Sequence, residues 1–282
     1  MTCADSSNNA AAPGYGLLLA INGADERLQL ALGRLTPDAS QPGAELLASQ
    51  EWTVPGQSVR FLAPGIRHMV DALGLAMADI RRIACVHGPG SFTGLRMSLA
   101  LAEGLAAGLT TSIGNEADGA GAQLAGLDHL ELLAHEAGEA GTGAVLALAW
   151  SRRGQVYAQA FQNQAALTRT EVIQIADMAE FLATLPRPLL VLGGGLRRNL
   201  PAFELLAAAD AGLRLLPQDW DAPRPQTLLT LAARAAYGPG PLTPVYLRAS
   251  DAEDNLAAIA AGRGLSEAEA QAILARGSRT LS

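Results

Sequence analysis

Apolar residues recur in short runs over the first part of the chain, separated by polar, glycine or proline residues. Runs of this length are typical of buried β-strands. The pattern predicts three strands, at Leu17–Ile21, Leu28–Leu32 and Leu46–Val54. The next stretch, Ser58–Leu73, has apolar residues at helical spacing and predicts a helix. Proline is unfavourable inside a regular helix, so Pro64 predicts a kink or a new helix start.

Beyond residue 80, strand-like and helix-like runs alternate, and the two central strands predict a hairpin. The predicted elements are strands at Ile83–Val86, Ala144–Trp150, Gln155–Phe161 and Leu189–Leu192, and helices at Met97–Leu109, Leu127–Ala137, Met178–Leu185 and Pro225–Tyr237. Thr110–Gly121 has no hydrophobic periodicity and predicts a loop. Val245–Leu247 predicts a last strand or extended segment.

The most informative stretch joins a predicted strand to a predicted helix. Its sequence is Gly88-Pro89-Gly90-Ser91-Phe92-Thr93-Gly94-Leu95-Arg96. A glycine-rich turn before a helix presents unpaired N–H groups and the positive end of the helix dipole. Such a turn can hold an anion or a close backbone partner. Ser91 alone is explained more simply, as the N-cap of the helix.

Three familiar motifs do not match this stretch. A P-loop requires a lysine where this chain has Leu95, and the dinucleotide fingerprint requires a glycine where it has Thr93. In a nucleophile elbow the glycine lies two residues before the serine, whereas Gly90 directly precedes Ser91. These spacings exclude all three motifs.

Composition narrows the function classes further. The 282 residues suffice for two domains or one large domain. All 20 basic side chains are arginines, which excludes lysine chemistry such as Schiff bases. A formal net charge of −7 argues against a large phosphate-binding face. Because Cys3 and Cys85 form no disulfide framework and no apolar run is long enough to span a bilayer, we expect a cytoplasmic protein without membrane contact.

Four segments of the chain resemble the TsaB (YeaZ) family, and the nine-residue glycine-rich stretch is the most specific of them. The other three follow in the family's order and are Ser151–Ala158, similar to its hairpin, Val191–Gly195, similar to its second glycine turn, and Pro244–Arg248, similar to its terminal signature. The resemblance extends from about Leu17 to Arg248. In this family the connection at 110–121 is usually short, so that segment is interpreted as an insertion.

The resemblance implies an α/β fold of two ASKHA domains, which are actin-like and RNase H-like, with mixed sheets flanked by helices. The expected divisions are a disordered N-terminal extension at 1–14, a first domain at 15–109 plus 225–248, a second domain at 122–224, and a C-terminal tail at 249–282. A capping box at Ser266–Glu269 predicts a short helix in the tail.

The resemblance also implies a function. TsaB-like proteins are non-catalytic subunits needed for forming N6-threonylcarbamoyladenosine (t6A) next to the anticodon of tRNA. This chain would activate a TsaD-like transferase by forming a heterodimer, and would work with a TsaE-like ATPase. Contact with tRNA would be indirect, through the complex. ATP and magnesium would be used by the partner subunits, so no cofactor is expected on this chain.

One residue that the resemblance implies for catalysis, an aspartate, is replaced in this chain by Asn22. Active members of the ASKHA superfamily, which this chain resembles, begin the turn after the first strand with an aspartate. That aspartate organises a metal ion and phosphates, whereas this chain has Asn22 at the position. An amide lacks the charge with which a carboxylate holds a hard cation. Asp25 is interpreted as a turn residue before Glu26. We therefore predict no catalytic residue.

The four histidines do not have the spacing of metal ligands. TsaD-like proteins carry two histidines four residues apart on one helix, a spacing that places both rings on one face. His129 and His135 are six residues apart, and they, His68 and His87 are interpreted as surface or loop residues. Glu136 is interpreted as part of a solvated helix face. No metal site is predicted.

One predicted helix carries a ridge of small residues at four-residue spacing. Each glycine inside a helix costs about 1 kcal/mol relative to alanine, so a closely packed neighbour should compensate. That neighbour is either the Ser58–Leu73 helix or another chain. TsaB-like proteins pair with TsaD or with themselves through these two helices, and the predicted interface comprises Phe61, Met69, Leu73, Arg96, Ala100, Gly104 and Gly108.

Two other functions stay open. One is a stand-alone enzyme of the same superfamily, either kinase-like or a glycoprotease-like peptidase. The other is a structural homodimer with a different partner, in which the added tail takes part. Hydrolysis of ATP or peptide by the purified chain distinguishes the first, and removal of residues 251–282 distinguishes the second.

Overall fold

The computed structural model describes residues 16–37, 40, 42–113, 121–139, 143–247, 260 and 266. The predicted N-terminal extension, residues 114–120 of the predicted loop and Glu267–Glu269 of the predicted capping box lie outside these ranges. The chain divides into two units, Met1–Val245 and Tyr246–Ser282, and both sheets lie in the first. Within the described ranges, no helix is long and apolar enough to cross a membrane.

The first sheet has five strands in the order β3-β2-β1-β4-β5. Their bounds are β1 Leu17–Asn22, β2 Arg27–Leu35, β3 Ala44–Thr53, β4 Ile80–Gly88 and β5 Gln123–Asp128. The pairs β1–β2 and β2–β3 are antiparallel, whereas β4 is parallel to both β1 and β5. The central strand β1 is buried at every position, as expected for its five apolar residues Leu17–Ile21, and it ends on the buried polar residue Asn22.

Four helices cover the two faces of this sheet: α1 Val59–Ala72, α2 Phe92–Ile113, α3 His129–Glu139 and α7 Pro225–Arg234. Successive side chains of a strand point to opposite faces. Leu19 and Ile21 therefore join the core under α1 and α2, while Leu18 and Ala20 join the core under α7. β1 thus organises both layers.

The second sheet has the order β11-β10-β6-β7-β8, and β9 also pairs with β7. Its elements, in chain order, are β6 Ala144–Arg152, β7 Gln155–Gln162, β8 Ala165–Ala166, β9 Glu171–Gln174, α4 Met178–Ala183, β10 Leu189–Leu192, α5 Gly194–Arg198, α6 Leu200–Ala209 and β11 Leu213–Leu215. The strands β6 and β7 form an antiparallel hairpin, and β10 runs parallel to β6 and β11. Phe203 of α6 is fully buried in the core of this sheet.

Two mixed sheets flanked by helices confirm the predicted fold class. The predicted hairpin and the predicted strand Leu189–Leu192 are confirmed as well. The division into domains at 15–109 plus 225–248 and at 122–224 stays a prediction, since both sheets belong to one unit.

Several predicted boundaries are wrong. α1 is one helix with Pro64 inside it, so the predicted new helix start is wrong, while the alternative of a kink stays a prediction. α2 begins at Phe92 and continues to Ile113, which makes it longer than predicted at both ends. β5 was not predicted. Val245–Leu247 forms no strand, and the alternative of an extended segment stays a prediction; the Val245 N–H donates to the His87 carbonyl at 2.8 Å.

Candidate functional site

The glycine-rich stretch forms the turn between β4 and α2. β4 ends at Gly88, which has a φ of +136°, and α2 begins at Phe92. The Ser91 hydroxyl oxygen accepts a hydrogen bond from the Gly94 N–H at 3.3 Å, which confirms the predicted N-cap. Since Thr93 to Arg96 already belong to the helix, the turn is shorter than the sequence motif.

The backbone of the β1–β2 turn occupies the space beside these glycines. The Ser91 N–H donates to the Ala24 carbonyl at 2.7 Å. A Cβ on Gly90 would collide with that carbonyl, and a Cβ on Gly94 would collide with the Gly23 carbonyl. Of the two predicted partners, an anion or a close backbone segment, the structure places the backbone segment here.

Asn22 anchors the same turn from the end of β1. It is 1% exposed, and its Nδ2 donates to Gln29 Oε1 at 2.8 Å while its Oδ1 accepts from the Ala24 N–H at 3.2 Å. Gln29 Nε2 in turn donates to the Pro223 carbonyl at 2.7 Å and to Glu51. The amide therefore links the turn to β2, β3 and the start of α7.

Asp25 has the predicted turn role and a second feature that the sequence did not reveal. Its Oδ1 accepts from the Glu26 N–H at 2.8 Å. Its Oδ2 is buried and has no hydrogen-bond partner among the described residues. Burial is the main cause that raises the pKa of the Asp25 carboxyl above its usual 3.8.

The second glycine turn faces Asp25. Gly193 has a φ of +103°, and its N–H donates to Asp221 Oδ1 at 3.2 Å. Arg197 binds the same carboxylate with two nitrogens, at 2.6 and 3.0 Å. A Cβ on Gly194 would collide with the Asp25 carboxylate, so the two turns are in close contact.

Beside the first glycine turn lies a cavity of about 120 Å³. Arg198 closes one side of it by pairing with Glu26 and placing its guanidinium 4.4 Å from the centre of the Trp150 ring. The cavity is lined by Ala24, Asp25, Glu26, Val54, Pro55, Gly56, Ser58, Val59, Ser91, Thr93, Gly94, Met97, Trp150 and Arg198. The first glycine turn contacts Ala24 and the second contacts Asp25, so both contact the β1–β2 turn.

The interpretation of the histidines is wrong for two of them. His129 is fully buried, and neither ring nitrogen has a hydrogen-bond partner among the described residues. Burial lowers the pKa of His129 to about 4. His135 is 8% exposed. No group of three or more potential metal ligands occurs in the part of the chain that the structure describes.

Glu136 is also buried, contrary to its predicted place on a solvated face. It is 8% exposed, and its carboxylate accepts from the Arg224 backbone N–H at 2.6 Å and from the Arg224 side chain at 2.8 Å. This pair fixes the N-terminus of α7 against α3.

The predicted interface residues divide into exposed and buried positions. Ala100, Gly104 and Gly108 are exposed on α2, and no described atom lies within 4 Å of a Cβ built on either glycine. The predicted alternative, in which the Ser58–Leu73 helix packs on these small residues, is therefore wrong within the part of the chain that the structure describes. Leu73 is 42% exposed, whereas Met69 is 2% exposed and belongs to the core.

The remaining two predicted residues lie beside aromatic rings. Phe61 is half-buried, with its ring centre 5.5 Å from that of Trp52. Arg96 is exposed, and its guanidinium lies 3.8 Å from the centre of the Phe92 ring, which is itself 39% exposed. Phe92 is a surface residue that the interface prediction omitted.

Comparison with known proteins finds similarity to two proteins named for tRNA threonylcarbamoyl modification. Residues 56–189 match the family model of TsaD, described as tRNA N6-adenosine threonylcarbamoyltransferase. The chain is 29% identical over 201 residues to the tRNA threonylcarbamoyladenosine biosynthesis protein TsaB of Bacillus subtilis (strain 168). That overlap covers 70% of this chain and 81% of the Bacillus protein.

Two solved structures share the fold. YeaZ from Pseudomonas aeruginosa has a TM-score of 0.57 at 22% identity, covering 82% of this chain and 100% of that one. A protein described as similar to peptidase YeaZ from Pseudomonas aeruginosa has a TM-score of 0.59 at 23% identity, covering 83% and 100%. Together with the similarity to TsaB, these matches confirm the resemblance of the chain to the TsaB (YeaZ) family.

Proposed function

We propose that this chain is a TsaB-type subunit that supports formation of t6A in tRNA without carrying the chemistry itself. The observation that carries the proposal is the similarity to Bacillus subtilis TsaB, which spans 201 residues and 81% of that protein. The transferase step would belong to a TsaD-like partner, a TsaE-like ATPase would complete the complex, and tRNA would be held through it in the cytoplasm.

The geometry around the first glycine turn supports a non-catalytic role. The Ser91 N–H, at the positive end of the α2 dipole, already donates to the Ala24 carbonyl. Asn22 is neutral, and both of its polar atoms are engaged inside the chain. Phosphoryl transfer needs charge stabilisation at the transferred group, which this turn is poorly arranged to supply.

The exposed stripe of α2 supports a partner-binding role. Phe92, Arg96, Ala100, Gly104 and Gly108 lie on the surface of one helix. A strip of small residues allows the backbone of a second helix to approach closely, and aromatic and arginine side chains are enriched at the centres of interfaces. With Leu73 of α1, these residues form the proposed surface for a TsaD-like subunit, and Met69 is no longer part of it.

Reconstitution of tRNA modification tests the proposal. A TsaD-like transferase, a TsaE-like ATPase, tRNA and threonylcarbamoyl-adenylate are combined with and without this chain, and t6A formed per transferase is measured over many turnovers. We expect efficient turnover only when the chain is present. Equal turnover without it would contradict the proposed role.

The stand-alone enzyme predicts a different outcome. In that case the purified chain alone would hydrolyse ATP or a peptide, and changing Asn22 or Ser91 would abolish the activity. A homodimer with another partner would leave t6A formation unaffected and would show a dimer without the transferase.

A further inference from the structure

The turn between β1 and β2 meets α5 of the second sheet at a contact that contains an acid with one buried carboxylate oxygen. We call this contact the Asp25 junction, formed by Asp25, Glu26, Trp150, Gly194 and Arg198. Only one oxygen of the Asp25 carboxylate is hydrogen-bonded, and the other is buried without a partner among the described residues. Buried polar atoms are almost always satisfied, so this one requires an explanation.

The charges around the junction leave Asp25 uncompensated. Arg197 pairs with Asp221 through two hydrogen bonds, and Arg198 pairs with Glu26. Of these groups, Glu26, Arg198 and Asp221 act on Asp25 directly, from its own turn, from α5 and from residues 218–221, respectively. Two cations and two anions neutralise each other, which leaves the single negative charge of Asp25.

The packing leaves no space for a metal ion or an ammonium group beside the unpaired oxygen. Asp25 Oδ2 is inaccessible to water, and a single Cβ added to Gly194 would collide with it. A proton is the positive charge that needs no additional space. Burial raises the pKa of Asp25, and the nearby Glu26 and Asp221 carboxylates act in the same direction, while Arg198 opposes them.

We propose that the Asp25 junction is a proton-coupled contact between the two sheets, in which closure binds one proton at Asp25 and ionisation of Asp25 favours opening. Opening would widen the cavity that Ser91, Thr93 and Trp150 line. This inference goes beyond the proposed function and does not depend on it.

The sign of the pH dependence follows from the raised pKa. Closure is favoured fully below pH 3.8, the ordinary value for an aspartate, and this contribution is lost as pH rises through the raised value. Between those two values the opening equilibrium constant rises about tenfold per pH unit, because one proton is released, and above the raised value it becomes constant.

Two measurements on the full chain test the proposal. The first is a ¹³C NMR titration of the Asp25 carboxyl carbon. The second is native-state hydrogen exchange of the amides in Gly193–Arg198, corrected for the intrinsic pH dependence of exchange. In Asp25→Asn, which keeps the shape and removes the charge, the opening constant should not follow the wild-type rise.

A matched control uses an acid away from the junction. Asp210, paired with Arg187, is partly exposed, and Asp210→Asn should keep the wild-type pH profile at Gly193–Arg198. A titration midpoint of Asp25 at or below 3.8 would overturn the proposal. So would an Asp25→Asn profile identical to that of the wild type. Because His129 contributes equally to wild type and Asp25→Asn, the difference between them isolates Asp25.

Discussion

Helix α2 and the turn before it contain two pairs of glycines whose surroundings differ completely. Gly90 in the turn and Gly94 in the first turn of the helix contact the backbone of the β1–β2 turn so closely that a Cβ would collide with it. Gly104 and Gly108, farther along, have no described atom within 4 Å of a built Cβ. Glycine therefore permits a close approach that is made inside the chain at Gly90 and Gly94, whereas Gly104 leaves space on the surface of the helix.

The largest expected effect on stability is at Gly90 and Gly94, which contact the β1–β2 turn. In Gly94→Leu the side chain would meet the Gly23 carbonyl, which is backbone and cannot move aside. Overpacking of this kind costs about 3 kcal/mol of unfolding free energy. Urea denaturation followed by circular dichroism measures it, and a stability equal to wild type would show that the turn does not constrain the helix.

Acid should lower the free energy of unfolding through the buried ring of His129. The glycines Gly104 and Gly108 have no titratable side chain and should not contribute. The pKa of His129 is lowered to about 4, so between pH 6.5 and 4 the unfolded chain binds a proton that the folded chain does not. Stability should fall by about 3 kcal/mol as pH falls through this window. His129→Gln should flatten the dependence when unfolding is measured at each pH. A wild-type profile that is flat between 6.5 and 4 would contradict the burial of this ring.

An intermediate effect on stability is expected at Asn22, which holds the β1–β2 turn beside Gly90 and Gly94. Asn22→Ala leaves Gln29 Oε1 without its donor and should cost about 2 kcal/mol in stability. When the variant is saturated and folded, the rate of t6A formation in the reconstituted system should scarcely change. A large loss of rate without loss of structure would favour a catalytic role for Asn22.

The smallest effect has the opposite sign. Gly104→Ala should stabilise the isolated chain by about 1 kcal/mol, because alanine is the better helix residue and the added methyl group meets open space. Gly94→Ala is its matched control and should destabilise the chain, since its methyl group collides with Gly23. If both changes have the same sign in thermal unfolding, the distinction between the two pairs fails.

Much of the fold was predictable from local pattern. The Ser91 N-cap and the strand Leu189–Leu192 depend on neighbours in the sequence, so motif and periodicity identified them. β5 was missed because Gln123–Asp128 is short and contains a glycine that weakens a strand pattern. α2 starts at Phe92 because Ser91 caps it there, although Thr93 and Gly94 are weak helix formers.

The site was predictable only in part, because its distinctive features come from contacts between distant segments. Asp25 is unusual through its contact with Gly194, and Glu136 through its bonds to Arg224. Neither contact has a signal in the local sequence. His129 lies at the start of a helix whose apolar pattern does not say that the ring is buried on all sides.

The central claim is that the exposed pair of glycines forms a partner surface. It is tested most directly by the affinity of Gly104→Leu for the TsaD-like subunit, measured by isothermal titration calorimetry on protein whose fold is confirmed by circular dichroism. Ala208→Leu, on an exposed position of α6, is the matched control. We predict that Gly104→Leu folds as the wild type does and binds at least about tenfold more weakly, a loss of about 1.4 kcal/mol, while Ala208→Leu binds normally. Unchanged affinity of Gly104→Leu, or failure of that variant to fold, would contradict the claim.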